Sequence, residues 1–89
     1  MDKKKAFEIF KNDGCEDIVL IEKEVNYFLD KYSHDFDLDI ILTGSFEIGL
    51  SRSNMILFPR SRIKLNKGEV HTEKSCSEGV SFLSARPMI

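Results

Sequence analysis

The stretch Ile18–Leu42, IVLIEKEVNYFLDKYSHDFDLDIIL, contains a change in the spacing of its apolar residues. Up to Tyr32 the apolar side chains recur every three or four residues, which is the period of one helix face. From Asp35 onwards they alternate with polar residues, which is the period of a half-buried strand. The change predicts a small α+β domain in which helices come first and a sheet follows.

The helical part, residues 1–34, is expected to hold two helices packed on the sheet. Asp2 can cap a first helix over about Lys3–Asn12, and Gly14 can end it. The second helix has its apolar stripe at Ile18, Ile21, Val25, Phe28, Leu29 and Tyr32. The run Ile18–Ile21 alone could also be a buried strand, but the continuation of the stripe to Tyr32 favours a helix.

The sheet part, residues 35–89, is expected to form four or five mainly antiparallel strands joined by short turns. Strand patterns cover residues 35–42, 46–50, 55–65, 69–74 and 80–85. Pro59 cannot donate a ladder hydrogen bond, so its strand should lie at a sheet edge or carry a bulge. A small SH3-like barrel with an N-terminal helical extension is the alternative fold.

Length and composition indicate a single domain over residues 1–89. The chain is 42% hydrophobic and 31% charged, which suits one modest core rather than disorder. The absence of a recognisable signal peptide predicts a cytoplasmic protein whose two cysteines are reduced. No segment approaches the roughly 20 apolar residues that span a bilayer, so no membrane association is expected.

Charge is divided unevenly along the chain. The first 39 residues hold 11 acidic and 6 basic residues, whereas the remainder holds 4 acidic and 7 basic residues. Separated charges of this kind steer association with a charged partner. The sequence therefore predicts two candidate binding faces of opposite sign.

The predicted acidic face is a candidate site for a basic protein partner and consists of Glu24, Asp35, Asp37 and Asp39. The spacing of the three aspartates resembles the start of an EF-hand calcium loop. Ile40 stands where that loop needs Gly, and Phe46 stands where it needs Glu. No metal site is therefore expected.

The predicted basic face follows the strand around Pro59 and consists of Arg52, Arg60, Arg62, Lys64 and Lys67. If the strand runs through Pro59, alternate cations share one face and could bind an acidic protein or a nucleic-acid backbone. The alternative is structural: the cations would pair with the aspartates across strands, or keep an edge strand soluble.

Residues with catalytic potential do not form a recognisable site. Gly44–Gly49 resembles the Gly-Ser loop of nucleotidyltransferases, but residues 53–56 supply no carboxylate to hold magnesium. Cys15, His34, His71 and Cys76 lack the close pairs of a zinc site. We expect no enzyme and no cofactor.

The function expected from these features is that of a small intracellular protein-binding module of inhibitor, immunity or adaptor type. One alternative is a nucleic-acid-binding module that uses the basic face. Another is a self-associating structural protein, a homo-oligomer whose opposite-sign faces meet.

Overall fold

The computed structural model describes residues 1–32, 37–51, 53–66, 68–75 and 78–87. They form one helix and eight strands: α1 (Lys3–Asn12), β1 (Cys15–Lys23), β2 (Phe28–Tyr32), β3 (Asp37–Thr43), β4 (Phe46–Gly49), β5 (Asn54–Leu57), β6 (Arg62–Leu65), β7 (His71–Ser75) and β8 (Val80–Pro87). Sheet A has the order β1-β8-β3-β6, and sheet B has the order β2-β7-β4-β5. The paired strands are antiparallel in both sheets.

The first predicted helix is confirmed with its bounds. The Asp2 carboxylate accepts a hydrogen bond of 3.0 Å from the backbone N–H of Lys4, which is the usual N-cap contact. Gly14 adopts a φ of 77° just after the helix, where a residue without a β-carbon is favoured. Ala6 and Phe10 are the buried residues of α1.

The second predicted helix is wrong, because residues 15–23 and 28–32 are strands. The side chains of its supposed stripe reach different surfaces. Ile18 packs under α1, Ile21 packs between the sheets, and Val25 is 50% exposed in the loop after β1. The helix-like spacing of these apolar residues has two origins. One is an irregularity in β1, where Asp17 has a φ of 54°, and the other is a turn at Asn26, where φ is 67°.

The central strands of sheet A, β3 and β8, are covered on both faces. Its outer face carries a cluster in which Ile40, Leu42 and Leu83 contact α1. Its inner face meets sheet B in a second cluster, where the rings of Phe46 and Phe82 stack with centroids 5.3 Å apart. The inner cluster places apolar side chains of both sheets in contact with one another.

The predicted outer acidic face of the strand after residue 35 is also wrong at Asp39. Asp39 lies opposite Ser84 and Ile63 and is only 5% exposed. Directly opposite side chains share a face, and Ile63 packs against the inner cluster. Asp39 therefore points inward, because the strand is central in its sheet and has no solvent face.

The predicted strand over residues 55–65 is two strands in different sheets. The chain turns at residues 58–61, where the N–H of Ser61 donates a 2.8 Å hydrogen bond to the carbonyl oxygen of Phe58. Pro59 occupies the second position of this turn, which explains why it needs no ladder partner. Each strand lies at the edge of its sheet, as expected for the strand that contains Pro59.

Candidate functional site

Two of the predicted cations lie side by side on the outer face of sheet A. Arg62 is opposite Ile40, and Lys64 is opposite Leu38, both on the face that α1 covers. The helix lies over β1, β3 and β8, and β6 continues the sheet beyond β3. A strip of the outer face is therefore left between the helix and the edge strand.

A cavity of about 670 Å³ lies along the first turns of α1. Its helical lining includes Lys4, Lys5 and Glu8, with Ile9 as an apolar contribution. Arg60 lines it from the turn between β5 and β6. The cavity therefore brings two lysines of α1 together with an arginine from the turn before β6.

A second cavity, of about 220 Å³, follows at the other end of α1. Arg62 and Lys64 line it from β6, and Asp13 lines it from the end of the helix. Its apolar lining comes from Phe10 and Leu38, whereas the side chain of Ile63 packs against the inner cluster. We call the two cavities together the α1–β6 groove.

Cations outnumber the available anions in the α1–β6 groove. Its basic residues are Lys4, Lys5, Arg60, Arg62 and Lys64. The Asp2 carboxylate caps α1 and Asp39 is buried, so the exposed acids without such a role are Glu8 and Asp13. The groove is therefore suited to an acidic ligand with some apolar character.

Arg60 has an unusual backbone conformation. Its φ is 79°, in the left-handed region that costs a residue with a β-carbon about 1 kcal/mol. A turn with Pro at its second position and a positive φ at its third is of type II, where Gly or Asn is the usual third residue. The backbone N–H of Arg60 donates a 2.8 Å hydrogen bond to the carbonyl oxygen of Ile41, which fixes the turn to β3.

The predicted acidic face is not assembled in the part of the chain that the structure describes. Glu24 is exposed after β1, whose last residue Lys23 lies opposite Val80. Asp39 lies opposite Ser84, four residues further along β8, with its side chain buried. Asp35 lies outside the described residues, as do Arg52 and Lys67 of the basic face. Asp37 is placed in β3 by its backbone.

Sequence reasoning missed Lys4, Lys5 and Glu8 as groove residues. A signal was available, because lysines in the first turn of a helix oppose its dipole and α1 has no acidic residue in that turn. A locally unfavourable residue often indicates a function. The sequence did not place the helix beside β6.

A polar row on β7 faces the interior between the sheets. Glu73 and Ser75 lie opposite the inward residues Ile48 and Phe46, so His71 follows on the same side. The His71 side chain is buried, with Nε2 3.6 Å from Oε2 of Glu73 and Nδ1 3.3 Å from the carbonyl oxygen of Glu69. Its burial was not predicted.

A metal site does not assemble among the residues that the structure places. In those ranges, no group of three or more His, Cys, Asp or Glu side chains could hold an ion. His34 and Cys76 lie outside them, so the expectation of no metal and no cofactor stays a prediction.

Cys15 is a free, buried cysteine at the start of β1. Loss of solvent and, to a smaller degree, the nearby Asp13 carboxylate raise the pKa of its thiol above the ordinary value. The thiolate is therefore disfavoured, which is the opposite of what a nucleophilic cysteine requires.

No family model and no curated protein matches the chain. Solved structures do match. A cupin-2 domain containing protein from Shewanella frigidimarina has a TM-score of 0.67 and 15% identity, covering 99% of this chain and 94% of that one. A cupin superfamily protein from Desulfitobacterium hafniense has a TM-score of 0.69 and 15% identity, covering 81% of this chain and 66% of that one.

The chain has a cupin-like double-stranded β-helix fold. This finding overturns both the predicted two-helix α+β fold and the SH3-like alternative. A predicted oxalate decarboxylase from Thermotoga maritima has the same fold, with a TM-score of 0.68 and 14% identity over 92% of this chain and 73% of that one. At such identities the likeness establishes the cupin-like fold and no activity. The chain spans about two thirds of the Desulfitobacterium protein.

In the ranges that the structure describes, the cupin-like fold contains one short helix, which packs on sheet A. Within the described residues, no helix is long and apolar enough to cross a bilayer.

Proposed function

We propose that this chain is a small, non-enzymatic protein-binding module that holds an acidic segment of its partner in the α1–β6 groove. The observation that carries the proposal is that Arg60 lines one cavity with Lys4 and Lys5. Arg62 and Lys64 line a second cavity at the other end of the same helix. An inhibitor, an immunity protein or an adaptor would each need a preformed surface of this kind.

The apolar lining favours a peptide over a nucleic acid. Ile9 and Leu38 offer contacts for aliphatic side chains beside the cations. Glu8 and Asp13 would repel a continuous phosphate backbone while still allowing an acidic side chain to approach a nearby cation. A nucleic-acid ligand is therefore the second candidate.

The proposal replaces the acidic face as the preferred binding surface, because Asp39 is buried. It also favours binding over catalysis, because the inner apolar cluster packs between the sheets beside the polar row of β7. A catalytic pocket needs an enclosed space with convergent polar groups.

The test measures fluorescence anisotropy of a labelled peptide of alternating Glu and Leu. Reversal of both strand cations in Arg62→Glu/Lys64→Glu should weaken binding about tenfold or more, since two attractive contacts become repulsive. The matched control is Lys3→Glu/Lys11→Glu, which reverses two exposed charges on α1 residues that do not line the groove.

Binding that survives in the control and is lost in the strand variant supports the groove. Equal affinity of both variants, or no binding by the wild type, would overturn the proposal. Competition by an unlabelled DNA duplex, with a steep salt dependence, would move the function to nucleic-acid binding.

A further inference from the structure

The outer face of sheet B carries a row of four residues, one on each strand. Phe28 lies opposite Lys74, Lys74 lies opposite Glu47, and Glu47 lies opposite Ile56. Directly opposite residues of antiparallel strands project on the same side of a sheet. At about 4.8 Å between strands, the row is about 14 Å long.

This row points away from the inner cluster. Each of its members alternates with an inward residue, as Glu47 does with Phe46 and Ile48. Gly49 lies on the same side as Glu47, and a β-carbon added there would meet the side chains of its opposite residues Thr72 and Asn54. The outer face of sheet B is thus open at both ends of the row, where Phe28 is 60% and Ile56 is 53% exposed.

The two sheets differ in what covers them. The outer face of sheet A is covered by α1, which contacts β1, β3 and β8. The outer face of sheet B instead leaves Phe28 and Ile56 exposed at the two ends of the row, each beside a charged residue.

The order of the row, apolar–cation–anion–apolar, is self-complementary. A two-fold axis parallel to the strands, passing between β7 and β4 in the plane of contact, reverses the row. It sets Lys74 against Glu47 of the second copy, and Phe28 against Ile56 of the second copy. Each contact then occurs twice, as an isologous interface requires.

We propose that a second copy of this chain packs on the outer face of sheet B and forms a two-fold dimer with these contacts. The occupant is another copy rather than a foreign protein, because the charge and apolar pattern matches its own reversal. The proposal is independent of the α1–β6 groove, which lies on the other sheet and stays exposed in such a dimer. The dimer would present two grooves on opposite sides.

The first measurement is the mass of the full chain in solution by sedimentation equilibrium over a concentration series. We expect twice the 10.2 kDa of one chain. A monomer throughout the series would overturn the proposal.

The decisive experiment uses charge reversal in two separate chains. Lys74→Glu alone gives a copy with two acids in the row, and Glu47→Lys alone gives a copy with two cations. Each should dimerise about tenfold more weakly or worse, since its own copy repels it. Mixed together they should form a heterodimer, because both charge contacts become attractive again.

Lys74 and Glu47 are also cross-strand neighbours within one chain, so each variant changes a contact inside the chain as well as the proposed interface. Formation of the heterodimer would show that the weaker dimerisation comes from the interface. Two variants that each dimerise like the wild type, or a mixture that stays monomeric, would overturn the proposed contacts.

A second variant protects the test against poor folding of the charge variants. Ile56→Arg alters an exposed side chain and should produce a monomer, whereas Val19→Asp on β1 of sheet A should leave the dimer intact. Equal masses for the two variants would also overturn the proposed face.

Discussion

Ser75, the last residue of β7, is hydrogen-bonded to Tyr27 and Glu24 in the loop after β1. Its hydroxyl donates a 2.6 Å hydrogen bond to the carbonyl oxygen of Glu24 and accepts one of 3.0 Å from the N–H of Tyr27. The N–H of Ser75 donates in turn to the carbonyl oxygen of Tyr27, at 3.0 Å. This contact holds residues 24–27 in a turn and separates two strands where the sequence suggested one helix.

Replacing this serine should destabilise the protein measurably. Ser75→Ala leaves a backbone carbonyl and an N–H without that partner in a partly buried place, so we expect a loss of about 1–3 kcal/mol in the free energy of unfolding. The matched control is Ser81→Ala, whose hydroxyl contacts Thr43 Oγ1 at 2.6 Å in an exposed place. Urea denaturation that gave equal losses for the two variants would contradict the role of Ser75.

The corner between β3 and β4 depends on the absence of a side chain at Gly44. Its φ is 75°, and an added β-carbon would collide with the carbonyl oxygen of Gly79. Gly14 has a similar φ of 77° with open space around it. Gly14→Ala should therefore cost only the backbone strain, about 1 kcal/mol. Gly44→Ala should cost about 1–3 kcal/mol more, because backbone must move.

Denaturant midpoints of the two glycine variants provide the measurement, with the wild type as reference. A Gly44 variant no less stable than the Gly14 variant would show that the corner tolerates the displacement of Gly79.

Arg60 should improve binding at the expense of stability. Arg60→Gly relieves the positive φ and should raise the free energy of unfolding by about 0.5–1 kcal/mol. The same change removes a cation from the groove, so the affinity for the acidic peptide should fall. Thermal unfolding and peptide anisotropy on the same samples measure the two effects. A variant that binds as well as the wild type would remove Arg60 from the site.

The Cys15 thiol gives a pH dependence whose sign can be derived. Its pKa is raised in the folded state, so the folded protein keeps the proton at a pH where the unfolded chain has lost it. The contribution of Cys15 to stability is therefore complete below the unfolded pKa and declines as the pH rises towards the folded pKa.

The measurement is the free energy of unfolding across roughly pH 8 to 10, which brackets the titration of a thiol. The wild type should lose more stability over this range than Cys15→Ala, since the variant lacks this titrating group while Cys76 is present in both. An equal loss of stability with pH in the wild type and the variant would contradict a raised pKa for Cys15.

The sequence was informative where the signals were local. The helix Lys3–Asn12 was predicted correctly because an N-cap at Asp2 and a stop at Gly14 bracket one apolar face. The run Ile18–Ile21 fits a strand as well as a helix. The helical spacing continues beyond it because Val25, which lies in the loop after β1, happens to fall at the same spacing. The bulge at Asp17 that shifts this spacing depends on pairing with β8, which the sequence does not show.

The candidate site was predicted in part for a related reason. Arg60, Arg62 and Lys64 were recognised from their pattern, and the structure places all three along the groove. The contribution of Lys4 and Lys5 depends on how α1 lies across sheet A, which is a long-range arrangement. Asp39 was misplaced because alternation shows that a strand has two faces but does not show that both are covered.

The measurement that tests the central claim most directly is a titration of isotope-labelled protein with the Glu-Leu peptide, followed by two-dimensional amide NMR. We predict that the shift changes concentrate at Lys4, Lys5 and residues 60–64, and that sheet B, including Lys74, stays unchanged. Shift changes confined to sheet B, or none at saturating peptide, would contradict the α1–β6 groove as the binding site.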